Sequence, residues 1–131
     1  MIDTERLIEL KDVLQRDCGE FSLFALFLRE DAPGKWDLVV AAPWIDEDKK
    51  SALKKIAERV SAGLSQKELL EVSRIVVLDP ENPALEATLR AVKANNSKVE
   101  VRNSNFFGLQ IKHAVILESK RVSAEAKQAE A

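Results

Sequence analysis

The segment 21–44 constrains the fold of this chain more than any other. Residues 21–28 are apolar at seven of eight positions, so a strand formed by them needs cover on both of its faces. Pro33 and Gly34 follow with the residue types that tight turns favour, and 36–42 returns as a second apolar strand. A hairpin of this kind predicts a central sheet that is wrapped by helices.

Helices are predicted on both sides of this hairpin and again later in the chain. Apolar residues recur at helical spacing near the N-terminus, after a cap at Asp3 or Thr4, and again between 53 and 64. We expect Asp46 to cap the second of these helices. Ser65 with Glu68 forms a capping box for a shorter helix, and the pair Asn82–Pro83 is typical of a further helix start.

Three more strands are predicted in the second half of the chain. The run 74–78 is continuously apolar after its first residue, which is typical of a strand that is covered on both faces. Residues 99–102 alternate valine with charged side chains, as in a half-exposed strand near a sheet edge. We expect a turn at 103–105 and a last strand over 109–117.

The predicted element order is α-β-β-α-β-α-β-β, which defines an α/β (α+β) fold. We expect a mixed, roughly five-stranded sheet with helices packed on its faces. Neither an internal repeat nor a Gly/Ser linker interrupts residues 1–118, so they are expected to form a single domain. Residues 119–131 form a polar tail rich in Ala, Glu and Lys, which we expect to be helical or frayed.

Composition and charge indicate the cellular compartment and the classes of partner that this chain is expected to have. Twenty basic and 22 acidic residues give a net charge of −2, which does not favour nucleic-acid binding. Cys18 is the single cysteine, so an internal disulfide framework is excluded and a reducing cytoplasm is expected. An apolar segment of membrane-spanning length is absent from the sequence, so we expect no membrane partner. The basic residues concentrate on one helix, where they are typical of a solvated face: Lys49, Lys50, Lys54, Lys55 and Arg59.

Motifs for cofactor binding and nucleophilic catalysis are missing from the sequence. The four glycines lie far apart, so the sequence contains neither a GxGxxG motif nor a Walker-type phosphate-binding loop. We therefore expect no cofactor. His113 is the single histidine and falls within a predicted strand, where a structural role is favoured. We therefore assign no catalytic and no metal-binding residue.

Acidic residues at strand ends provide the alternative hypothesis. Asp79 follows a predicted parallel strand at the edge where open α/β sheets bind ligands, while Asp37 and Asp46 flank the second strand. Carboxylates that converge in space are the ligands that a divalent metal requires. In this alternative the chain is an enzyme or a nucleotide-binding domain that uses Asp37, Asp46 and Asp79 with a divalent metal.

Large aromatic residues at strand ends favour a different function. Trp44 follows the second strand, and Phe106 with Phe107 lies in the connection before the last strand. Aromatic side chains are enriched at protein interfaces, and two-fold dimers are the commonest oligomers. The sequence therefore favours a non-catalytic cytoplasmic interaction domain that forms a homodimer and binds an unidentified protein partner, with Phe106, Phe107 and Trp44 as interface candidates.

Overall fold

The structure is a computed structural model that describes residues 2–31, 34–94, 98–106 and 109–122. These ranges contain five helices and five strands. In chain order they are α1 (Thr4–Asp17), β1 (Leu23–Arg29), β2 (Trp36–Ala41), α2 (Pro43–Glu47), α3 (Lys49–Gly63), α4 (Gln66–Glu71), β3 (Val72–Val77), α5 (Pro83–Ala91), β4 (Val99–Phe106) and β5 (Leu109–Ser119). The predicted order of elements is confirmed.

All five strands form one mixed sheet in the spatial order β3-β2-β1-β5-β4. The pairs β1–β2, β1–β5 and β4–β5 are antiparallel, whereas β2 and β3 run parallel. The parallel pair needs a crossover connection, and α2, α3 and α4 supply it. The α+β class with a five-stranded mixed sheet is thus confirmed, with β3 and β4 at its two edges.

The sheet separates two apolar cores. On one face Phe24, Leu26 and Val40 pack with side chains of α1, α2 and α3. On the other face Phe27 and Val39 belong to a smaller core that is closed by α5. The central strand β1 is buried at its first five positions, as its apolar character on both faces predicts.

Helix starts follow the predicted caps with one correction. Asp3, Ser65 and Asn82 each accept a backbone hydrogen bond at the start of a helix, and the Ser65–Glu68 capping box is complete. Asp46 does not cap α3. It lies inside the short helix α2, whose start is set by Pro43 at the first turn, and Asp48 accepts the capping bond from the backbone N–H of Ser51 across 3.2 Å.

Two strand predictions also require correction. The expected turn at 103–105 is part of β4, because the register with β5 continues through Asn105; Asn103 has a left-handed φ of 50° within the strand. Residues 74–78 were expected to be buried on both faces of the sheet, but they are only partly buried. β3 is an edge strand that pairs only with β2 in the described part of the chain, and its apolar residues are half-buried.

The last strand ends at Ser119, after which Arg121 contacts Glu86 of α5 through two hydrogen bonds of 3.0 and 2.6 Å. The greater part of the predicted polar tail, 123–131, lies outside the described residues. Asn95 and Asn96, which are typical of a helix end after the Asn82–Pro83 helix start, also lie outside them. Of the helices that the structure describes, none is long and apolar enough to cross a membrane.

Candidate functional site

Asp37 lies at the centre of a charged cluster that spans three neighbouring strands. It is next to the first residue of β2, opposite Phe27 of β1 and opposite Arg74 of β3. Its carboxylate is buried, and Oδ2 lies 3.2 Å from Nε of Arg29 and 3.3 Å from Nε of Arg74. A buried carboxylate needs such partners, so this cluster stabilises one end of the β1–β2–β3 unit.

A small cleft separates this charged cluster from α5. Apolar residues of the sheet, including Phe27, Val39 and Ile111, form its floor, and Ala84 with Thr88 of α5 forms one wall. Its volume of about 60 Å³ is well below the roughly 300–1,000 Å³ of pockets that bind small molecules. The cleft is therefore too small for a nucleotide or another substrate of that size.

Asp46 and Asp79 come together at the opposite end of the parallel strand pair. Asp46 lies in α2 after β2, and Asp79 follows β3, where it forms an ion pair with Lys49. Burial raises the pKa of the Asp46 carboxyl, and the Asp79 charge adds to this effect while Lys49 opposes it. Two of the three carboxylates of the alternative hypothesis are thus neighbours.

Asp37 does not join this pair, because the length of β2 separates them. Asp37 is the second residue of β2, whereas Asp46 and Asp79 follow the carboxyl ends of β2 and β3. Across the described ranges, no group of three or more His, Cys, Asp or Glu side chains is placed to hold a metal ion.

The other polar candidates form surface or structural contacts. The basic residues 49, 50, 54, 55 and 59 are all exposed on α3, where Lys49 pairs with Asp79 and Arg59 lies 3.1 Å from Asp17. His113 of β5 is held between Glu100, 2.9 Å from its Nε2, and the ring of Trp36 at 5.4 Å. This contact ties the β4–β5 hairpin to the start of β2.

The aromatic interface candidates occupy different environments. Trp44 is only 7% exposed, and its ring packs edge-on against Phe21 at 5.5 Å, so it belongs to the core. Its indole N–H is buried without a hydrogen-bond partner among the described residues. Phe106 ends the backbone of β4 at the sheet edge, but its side chain, like the whole of Phe107, lies outside the described residues.

The open edge at β3 is a feature that the sequence analysis missed. Four successive apolar residues, Ile75, Val76, Val77 and Leu78, are half-buried along it. Leu70 in the preceding helix is 72% exposed, the highest value among the large apolar residues described. A continuous apolar run in the sequence does not distinguish an edge strand from a central one, which is why the edge position was not foreseen.

The two edges of the sheet differ in how they are protected. β4 carries the exposed charges of Glu100 and Arg102 and the left-handed Asn103, which are features that discourage pairing with another strand. β3 has an irregularity in its register with β2 at Ser73 and an exposed charge at Arg74, both near its start, and neither feature occurs over residues 75–77. The β3 edge is therefore the less protected of the two.

Known proteins add no further assignment, because no family model, curated protein or solved structure matches this chain.

Proposed function

We propose that this chain is a non-catalytic, cytoplasmic interaction domain that acts as a homodimer and binds a further protein partner. The observation that carries the proposal is the apolar edge of β3, where residues 75–78 remain half-exposed and no other described strand pairs with the outer backbone groups. Such an edge is a template for pairing with another chain where it lacks charges, proline and bulges, and residues 75–78 lack them, since the irregularity at Ser73 and the charge of Arg74 lie before this stretch. The cytoplasmic setting is supported by the free thiol of Cys18.

Partners other than proteins have less support. The exposed lysines and Arg59 form the basic surface of α3, and part of their charge is neutralised, because Asp79 pairs with Lys49 and Asp17 pairs with Arg59. A nucleic-acid site normally needs a basic stripe with excess charge. The proposal therefore includes neither a nucleic acid nor a membrane as partner, and it includes no cofactor.

Light scattering on the purified full chain tests the homodimer. We expect a mass of twice 14.6 kDa at tens of micromolar, and dissociation on dilution. A mass of one chain at every concentration up to that range would refute the homodimer.

A second candidate function rests on the proximity of Asp46 to Asp79. In this case the chain is an enzyme or nucleotide-binding domain that holds a divalent metal at the carboxyl end of the β2–β3 pair. Both the raised pKa of Asp46 and the position of Asp79 at a ligand-binding edge favour it. Asp37 would then have a structural role with Arg29 and Arg74.

A further inference from the structure

We infer that a second copy of this chain pairs with β3 in antiparallel orientation, about a two-fold axis that passes midway between Val76 and its own copy. The two five-stranded sheets then continue into one sheet of ten strands. This inference rests on the proposed homodimer and names its contact surface.

The first argument concerns the backbone groups of β3. The N–H of Leu78 donates to the carbonyl of Val40 across 2.9 Å, so Leu78 directs its backbone groups towards β2. Backbone N–H and C=O groups alternate in direction from one residue of a strand to the next. The backbone groups of Val76 therefore also point towards β2, whereas those of Ile75 and Val77 point away from the sheet. The outer edge therefore offers the backbone groups of Ile75 and Val77 to a partner strand.

The second argument concerns symmetry. A two-fold axis perpendicular to the sheet keeps every side chain on its own face, so one residue of β3 must lie opposite its own copy. The apolar stretch 75–78 allows this residue to be Ile75, Val76 or Val77.

The side chains favour Val76 over the other two centres. An axis at Ile75 brings Arg74 and the partner's Arg74 to diagonal positions about 7–8 Å apart, where like charges repel. An axis at Val77 places Ile75 opposite the partner's Asp79 and so brings a carboxylate against an apolar side chain. An axis at Val76 avoids both contacts.

Centred on Val76, the pairing matches chemical types over residues 74–78, which follow the irregularity at Ser73. Ile75 lies opposite the partner's Val77. Arg74 lies opposite the partner's Leu78, which its aliphatic stem can cover while its guanidinium stays with Asp37. The two Arg74 residues are then about 13 Å apart along the strands, at the usual rise per residue.

Disulfide trapping tests both the surface and its register. In a Cys18→Ser background, Val76→Cys should cross-link to its own copy under mild oxidation, because residues at a non-hydrogen-bonded antiparallel site have Cα atoms about 4.5 Å apart. Ile75→Cys or Val77→Cys alone should give at least five-fold less cross-linked dimer. An equal mixture of these two variants should cross-link, because each then lies opposite the other.

A charge placed on the axis gives an independent test. Val76→Lys sets two ammonium groups opposite each other and should weaken the dimer at least ten-fold, while the neutral, similarly shaped Val76→Thr should remain dimeric. Thermal unfolding establishes that both variants fold. If Val76→Lys does not fold, the cysteine variants decide.

The outcomes separate this inference from the homodimer itself. A wild-type chain that stays monomeric refutes the homodimer and the inference together. A wild-type dimer in which Val76→Cys fails to cross-link, or in which Ile75→Cys or Val77→Cys cross-links better, refutes only the surface or its register. A dimer that Phe106→Glu dissociates and Val76→Lys leaves intact places the contact at the β4 edge instead.

Discussion

Lys11 of α1 and Glu118 of β5 form an ion pair in the interior, with Nζ 2.9 Å from Oε1 and side chains that are 0% and 1% exposed. Asp12 and Lys120 extend this pair towards the surface, at 3.5 Å from the Lys11 Nζ and 3.6 Å from the Glu118 Oε2. The pair connects the first helix to the last strand. It therefore specifies how the helical layer is positioned on the sheet.

Removing one member of this pair should be strongly destabilising. Lys11→Met leaves the Glu118 carboxylate buried without its nearest cation, and we expect a loss of about 3–5 kcal/mol in the free energy of unfolding. The double variant Lys11→Met/Glu118→Leu should lose less than Lys11→Met alone, since no unpaired charge is then buried. Urea denaturation measures both effects.

A surface pair provides the control for this prediction. Lys49 is 50% exposed and pairs with Asp79, so Lys49→Met should change the unfolding free energy by less than about 1 kcal/mol. Equal effects of Lys11→Met and Lys49→Met would contradict the structural importance of the buried pair.

Truncation of the central strand tests the core. Leu26 is 2% exposed in β1, and Leu26→Ala should cost about 2–5 kcal/mol because it removes packed apolar atoms and leaves a cavity. Leu70→Ala, at a site that is 72% exposed, should have little effect on stability. An unchanged denaturation midpoint for Leu26→Ala would argue against the position of β1 in the sheet.

Glu68 should make the stability of the protein sensitive to acid. Its carboxylate accepts hydrogen bonds from the backbone N–H groups of Ser65 and Asp3 and lies 3.0 Å from Arg6, and these contacts lower its pKa to about 2 from the usual 4.5. Between these two pH values the unfolded chain takes up a proton that the folded chain does not. The contribution of Glu68 is therefore complete above pH 4.5 and is lost as the pH falls towards 2.

The variant Glu68→Gln isolates this contribution. It should be less stable than the wild type at pH 7, and the difference should shrink as the pH is lowered from 4.5 to 2, the interval between the two pKa values. Thermal unfolding across this range measures the effect. A difference that is constant with pH would show that the carboxylate charge contributes nothing.

Metal titration distinguishes the proposed interaction domain from the alternative function, an enzyme or nucleotide-binding domain that holds a divalent metal. Because Asp79 already pairs with Lys49, we expect millimolar magnesium, manganese or zinc to leave the melting temperature unchanged. A saturable increase that Asp79→Asn abolishes would favour the metal-dependent function. Asp37→Asn is the matched comparison, since this carboxylate lies at the other end of β2.

Local signals in the sequence predicted most of the fold, whereas long-range contacts had to be observed. The Ser65–Glu68 capping box and the Asn82–Pro83 helix start depend on neighbouring residues and were confirmed. The prediction that Asp46 caps α3 was wrong, because Pro43 begins a separate short helix that periodicity does not reveal. Strand order depends on contacts between distant segments, so the edge position of β3 had no local signal.

The candidate site shows the same division between local and distant contacts. Lys11 does occupy the apolar stripe of α1, four residues after Leu7 and three before Leu14, so its burial had a signal that was not used. Its partner Glu118 is 107 residues away in the chain, and no local pattern identifies it. The separation of Asp37 from Asp79 likewise follows from strand register.

The pairing of β1 with both β2 and β5 has a consequence for synthesis on the ribosome. β2 follows β1 immediately, whereas about 80 residues separate the end of β1 from the start of β5. At roughly 5–20 residues per second, translation of that interval takes about 4–16 s. Throughout this time the strand at the centre of the finished sheet has one apolar edge open. The nascent chain is then most prone to aggregation, and a chaperone that covers β1 until β5 emerges would protect it.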